Sequence, residues 1–160
     1  MLSKVLSKEI CKDCKFCCVF EKDSLWETPV FPIAKYKDLI ENNPEIFQIE
    51  NSYAKLDLED KYDDNTDIVP CPFLDENSGC TLSYEDKPLE CKIWPLRVMR
   101  KDDQLVVAFE TICKELGTKP SKELIELVED EICEAIRDYA YKYPFIAKEY
   151  DDKFPIILNL

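Results

Sequence analysis

Nine cysteines and no histidine set the chemistry open to this 160-residue chain. Without imidazole there is no Ser-His-Asp or Cys-His pair and no histidine metal ligand, which leaves thiolates and carboxylates as the groups able to bind or react. Four of the cysteines crowd into one run, Cys11-Lys12-Asp13-Cys14-Lys15-Phe16-Cys17-Cys18. A Cys-x2-Cys-x2-Cys triplet lets a short loop wrap a soft metal, as in bacterial ferredoxins, where a remote cysteine followed by proline completes the set; Cys71-Pro72 has that form here. Two chemistries suit such a pattern: zinc held by four thiolates, or an iron–sulfur cluster. The triplet favours the cluster, a [4Fe–4S] type by analogy, over zinc. Lys12, Asp13 and Lys15 make the run too polar for plain core packing.

Other functions are disfavoured by composition. With 21 basic and 34 acidic residues the net charge is −13, so the average surface repels phosphate backbones and anionic lipid headgroups. Neither a nucleic acid nor a membrane is the expected partner; a metal ion or cluster is. Gly79 and Gly117 are the only glycines, too few for a GxGxxG or Walker A phosphate loop. Six acids between Asp57 and Asp67 suggest a calcium loop, with Asp63, Asn65 and Asp67 at positions one, three and five. Ile68 and Leu74 then stand where an EF-hand requires glycine and a bidentate glutamate, so a solvated acidic loop is expected. Met1 to Ile10 lacks the apolar segment of a signal peptide, and an odd cysteine count cannot pair fully into disulfides. The expected location is the cytoplasm, where thiols stay reduced.

The elements that must position the cysteines form an expected α+β fold. It is a small single domain over residues 1–160, with an irregular cysteine-rich metal-binding core at about 11–113, a helical part at about 120–160, a few helices and a short β-hairpin. Phe31-Pro32 precedes a predicted helix from Ile33 to Glu41, stopped by Asn42-Asn43-Pro44. Ile46 to Leu58 alternates and reads as extended, whereas four prolines between Pro70 and Pro95 predict stiff loops around Cys71, Cys80 and Cys91. Leu96–Arg100 and Leu105–Glu110 flank a polar turn and read as a hairpin. Pro120 is expected to open a helix reaching Tyr141, with Leu124, Ile125, Val128, Ile132, Ala135, Ile136 and Tyr139 as its apolar stripe. Phe145 to Leu160 is expected to give a last short helix and an apolar tail.

Several motifs occur in a fixed order: Cys11-x2-Cys14-x2-Cys17-Cys18, Cys71-Pro72-Phe73-Leu74, Cys80 with Leu82-Ser83-Tyr84, Lys87-Pro88-x2-Cys91 with Trp94-Pro95-Leu96, and Cys113. In these the chain resembles the YkgJ-like cysteine-cluster proteins, named after their CxxCxxCC motif and described as zinc- or iron-chelating. The resemblance covers Cys11 to about Cys113. It implies a ligand set of Cys11, Cys14, Cys17, Cys18, Cys71, Cys80, Cys91 and Cys113, enough for two four-cysteine sites or for one cluster plus a second metal. Cys133 has no family counterpart and no cysteine neighbour, so it is expected to pack. The family usually has glycine where this chain has Lys15, and often arginine at the positions of Lys87 and Lys92. Some relatives are described as flagellin lysine N-methylases that use S-adenosylmethionine, which implies one alternative: a protein lysine N-methyltransferase-like enzyme using that cofactor, with Trp26, Trp94 or nearby acids lining a pocket and an unknown protein substrate. The chain lacks the Cys-x3-Cys-x2-Cys spacing of radical enzymes of that cofactor. A structural zinc adaptor is the other alternative.

Overall fold

Ten prolines divide the chain into short elements, because each removes a backbone donor and drives the preceding residue out of helical conformation. The computed structural model describes residues 1–2, 6, 13–62 and 67–160. They pack as two units, Lys15–Pro88 and Met1–Cys14 with Leu89–Leu160. The class is the expected α+β, with helices and several small sheets.

In the unit Lys15–Pro88, strand β1 (Val19–Glu21) pairs antiparallel with β5 (Ile68–Pro70). Strands β2 (Val30–Pro32), β3 (Phe47–Ile49) and β4 (Tyr53–Leu56) make a sheet in the order β2-β4-β3, and β6 (Leu74–Asp75) folds onto β7 (Gly79–Cys80). Helix α1 (Ile33–Asn42) begins directly after Pro32 and stops two residues before Pro44, as its sequence dictates. The alternating stretch 46–58 becomes the β3–β4 hairpin, preceded by a single helical turn at Pro44–Ile46. Phe31 is the hub of the core: its ring meets Tyr36 and Phe47 edge-on at 5.4 and 5.0 Å between centroids, and Phe73 lies 6.4 Å away. Of the acidic run, Glu59–Lys61 forms a helical turn; residues 63–66, on which the calcium comparison partly rests, lie outside the described residues.

The other unit is built on the predicted hairpin, β8 (Leu96–Lys101) and β9 (Gln104–Phe109), turned by Asp102 at φ 54. Its strands are buried at consecutive positions, so both faces of the pair are covered. The expected last short helix is limited to one turn at Pro144–Ile146. The tail beyond it goes into the sheet as β10 (Lys148–Glu149), parallel to β8, and β11 (Ile156–Asn159), antiparallel to β9. The run Ile156-Ile157-Leu158 suits an edge position beside a buried hairpin better than a helix, since β-branched residues favour the pleated surface. Arg97 and Glu110 form an ion pair inside this unit, with both Nε and Nη2 donating to Glu110 Oε2 at 3.0 and 2.8 Å.

Two further expectations are corrected. The loop around Cys91 contains a helical turn, α2 (Leu89–Ile93), which Pro88 can lead because proline lacks the N–H that a helix start leaves unused. Pro120 lies just before the long helix rather than inside it: Ser121 is the cap, its Oγ accepting from the Leu124 N–H at 3.1 Å. Helix α3 (Lys122–Leu127) continues through a wider π-helical turn at Val128–Ile132 into α4 (Cys133–Lys142). Leu124, Val128, Ile132 and Ile136 are buried as expected, but Ala135 is exposed, and Ala140 and Tyr143 are buried instead. A four-residue repeat drifts around a helix of about 3.6 residues per turn, and the wide turn takes up that drift. No helix among the described residues is long and apolar enough to cross a membrane.

Candidate metal centre

Cys17, Cys18, Cys71 and Cys80 are delivered by three neighbouring backbone segments of the unit Lys15–Pro88. The β1–β5 register pairs Val19 with Pro70, and one step further Cys18 faces Cys71, whose N–H donates to the Cys18 carbonyl at 2.7 Å. Cys17 precedes it on the helical turn Phe16–Cys18, and the two sulfurs are 3.8 Å apart. The Cys71 carbonyl accepts from the Leu74 N–H at 2.8 Å, a tight turn that leads into β6. There Leu74 pairs with Cys80, and the Thr81 N–H donates to the Phe73 carbonyl at 2.8 Å.

The supports of these segments are polar. Lys15 adopts a left-handed conformation (φ 52, ψ 4), and its carbonyl accepts from the Cys18 N–H at 2.9 Å. Glycine takes such a φ without strain, so a lysine here carries a backbone cost. The Lys15 ammonium donates to the Glu76 carbonyl in the β6–β7 turn. Asp75 Oδ1 organises that turn by accepting from the N–H groups of Asn77 and Ser78 and from the Ser78 hydroxyl; these bonds hold its carboxyl below the usual range. The buried Tyr36 donates its hydroxyl to the Lys87 carbonyl at 2.9 Å, linking α1 to the segment before Cys91. No sequence signal links those two residues, which are 51 positions apart.

The electrostatics divide the thiols. A hydrogen bond from the Cys17 thiol draws Cys18 down to about 7, helped by the Lys87 ammonium and opposed by burial. Burial pushes Cys71 up to about 12, with repulsion from Cys18 and Cys80 adding to it and the Phe73 backbone opposing. Cys71 therefore senses both of its sulfur neighbours. A bound cation would turn that mutual repulsion into attraction.

The remaining candidates are spread through the other unit. Cys14 is half-buried, Cys91 is exposed on α2, and Cys113 is buried beyond β9 with its carbonyl accepting from the Gly117 N–H at 2.8 Å. The Cys133 thiol donates to the Glu129 carbonyl at 2.9 Å, bridging the π-helical turn. Cys11 lies outside the described residues. The eight described cysteines are thiols, and among the described residues no three thiol or carboxylate side chains stand in the geometry that holds a metal ion. The thiols of the first unit are thus neighbours rather than a formed coordination shell. Their donor chemistry nevertheless fits a thiophilic metal: four sulfurs on hydrogen-bonded backbone segments, with the Lys87 ammonium favouring the Cys18 thiolate. Trp94, a candidate pocket residue, has the Arg97 guanidinium 5.0 Å from its ring centroid.

No curated protein and no solved structure matches the chain. A family model matches residues 10–114, a span that contains Cys11, Cys14, Cys17, Cys18, Cys71, Cys80, Cys91 and Cys113 and stops short of Cys133. By that match the chain belongs to the CxxCxxCC family, described as a "putative zinc- or iron-chelating domain".

Proposed function

We propose that the chain is a metal-chelating protein that holds zinc or iron through the thiolates of Cys11, Cys14, Cys17, Cys18, Cys71, Cys80, Cys91 and Cys113. The observation that carries this reading is the meeting of Cys17, Cys18, Cys71 and Cys80 at the joined ends of β1, β5 and the β6–β7 hairpin. Zinc would supply a structural clamp, whereas an iron–sulfur cluster would supply a redox centre. In either case this chain's own residues do the same work. The turns at Phe16–Cys18 and 71–74 present the sulfurs, Lys87 lowers the cost of gathering negative charge at Cys18, Lys15 ties the first turn to the β6–β7 turn through the Glu76 carbonyl, and the aromatic core around Phe31 holds the strand ends in register.

Anaerobic purification followed by metal and sulfide analysis tests the reading. The wild-type chain is expected to carry stoichiometric zinc or iron. Cys91→Ser should reduce that content, whereas Cys133→Ala, which removes only a thiol bonded within its own helix, should retain it at a cost of about 1 kcal/mol. Metal lost from Cys133→Ala and kept by Cys91→Ser would overturn the ligand assignment.

A further inference from the structure

The separation of two sulfurs distinguishes the metal chemistries that the sequence leaves open. Cys17 and Cys18 are adjacent in the chain, and their Sγ atoms stand 3.8 Å apart. In a tetrahedral thiolate site with metal–sulfur bonds of about 2.3 Å, neighbouring sulfurs are about 3.8 Å apart, the edge of the tetrahedron. A cubane cluster imposes a different demand. It is held by four cysteines, one on each of its four irons, so its protein sulfurs flank a bulky core and cannot share an edge around a single metal. The helical turn Phe16–Cys18 already sets the vicinal pair at the spacing a single ion requires.

The other two ligands stand beside that pair. Cys71 is held opposite Cys18 by its 2.7 Å hydrogen bond to the Cys18 carbonyl, and Cys80 reaches it through the tight turn at 71–74 and the Leu74–Cys80 pairing. All four are half-buried thiols within Lys15–Pro88, supplied by loops whose backbone bonds are already made. We infer that Cys17, Cys18, Cys71 and Cys80 bind one ion tetrahedrally, with the vicinal pair sharing it, and that these four do not hold a cubane iron–sulfur cluster. Loading forms four metal–sulfur bonds and releases to solvent the protons of those ligands that are still thiols, with no change of oxidation state. The inference rests on the metal-chelating reading and reverses the preference for [4Fe–4S] that the ferredoxin-like spacing suggests. That spacing describes Cys11, Cys14 and Cys17 but not the adjacent Cys18, for which a cubane has no second place on the same iron.

Cobalt(II) titration of the full metal-free chain under reducing conditions is the direct test, because tetrahedral thiolate cobalt has an intense visible spectrum and a sulfur-to-cobalt charge-transfer band. The wild-type chain should show both. Cys17→Ser and Cys18→Ser should each lose one equivalent of that signal per chain, and Cys91→Ser/Cys113→Ser should keep that equivalent. X-ray absorption of the wild-type chain loaded with one equivalent of zinc requires no variant, and should show a single shell of four sulfurs at about 2.3 Å. Two results would overturn the inference: an oxygen- or nitrogen-containing shell, or an iron- and sulfide-reconstituted cluster of four irons that depends on both Cys17 and Cys18. A chain that takes up cobalt and keeps every equivalent in both single variants refutes this site alone. A chain that binds no cobalt, zinc or iron at all refutes the metal-chelating reading beneath it.

Discussion

Two neighbouring sulfurs in this chain titrate in opposite directions. Cys18, drawn down to about 7 by the Cys17 thiol, is largely thiolate at pH 8, whereas Cys71, pushed up to about 12 by burial, is a neutral thiol there. A depressed pKa contributes stability above the unfolded value of 9.0, and that contribution is lost as pH falls through 7. The raised pKa of Cys71 contributes below 9.0 and is lost as pH rises through 12. The thiolate is the nucleophile, so alkylation of Cys18 by iodoacetamide in the metal-free chain should rise with a midpoint near pH 7 while Cys71 stays unreactive. Mass spectrometry of the labelled peptides reads both, and a Cys18 midpoint at the ordinary 9.0 would contradict the Cys17 hydrogen bond as its cause. Lys15 gives a second test at this scale. A non-glycine residue in left-handed conformation costs about 1–2 kcal/mol, and the extra chain entropy of glycine offsets about 0.5–1 of it. Lys15→Gly should therefore stabilise the chain by roughly 0.5 kcal/mol in urea denaturation. A loss of stability would mean that the ammonium bond to the Glu76 carbonyl outweighs the backbone strain.

Buried charge is the main liability at the scale of the elements. Arg97 on β8 and Glu110 just past β9 are 8% and 5% exposed in their side chains, and the Arg97 guanidinium lies 5.0 and 5.1 Å from the ring centroids of Trp94 and Phe154. Glu110→Ala leaves that cation buried without its carboxylate and should cost about 3–5 kcal/mol, whereas the apolar pair Arg97→Met/Glu110→Leu should recover most of the loss. Thermal melts of the two variants measure this, and a double variant no better than the single would show that the pair adds net stability of its own. The β8–β9 hairpin around this pair was legible because its signal is local: two apolar runs and a polar turn. Helix α1 was legible for the same reason, with a proline just before it and another soon after. The cysteine run and its taste for soft metals were equally plain. What sequence could not give was pairing at a distance. The Cys18–Cys71 register is fixed by which face of β1 and β5 is buried, and β10 and β11 find their places only because a hairpin buried on both faces accepts edges. The π-helical turn was hidden too, although the four-residue repeat from Leu124 to Ala140 is a signal that a regular helix does not fit.

For the whole chain, the two units differ in what holds them. The unit with Leu89–Leu160 has a four-stranded sheet whose two central strands, six residues each, carry fully buried side chains at Met99, Val107, Ala108 and Phe109. In Lys15–Pro88 the strands are two to four residues long, and the cysteine-bearing ends are turns attached to a two-stranded ladder and a two-residue hairpin. Such short ladders are marginal by themselves, and ordering each residue of a loop costs about 1–2 kcal/mol. The free energy of metal binding matters most where local packing is thinnest, at these short ladders and turns, and least in a hairpin already buried on both faces. Removing the metal should therefore act unevenly. Hydrogen exchange compared before and after chelation should show amides of β1, β5, β6 and β7 losing protection by at least about tenfold, while those of β8 and β9 stay within a factor of about two. The aromatic cluster around Phe31 should keep β2 and β4 between these extremes, because its packing does not pass through a sulfur. A uniform loss across both units would show that the chain unfolds as one cooperative block when the metal leaves. Unchanged protection at β1 and β5 after demonstrated metal removal would show instead that their two-stranded ladder holds without any help from the thiolates.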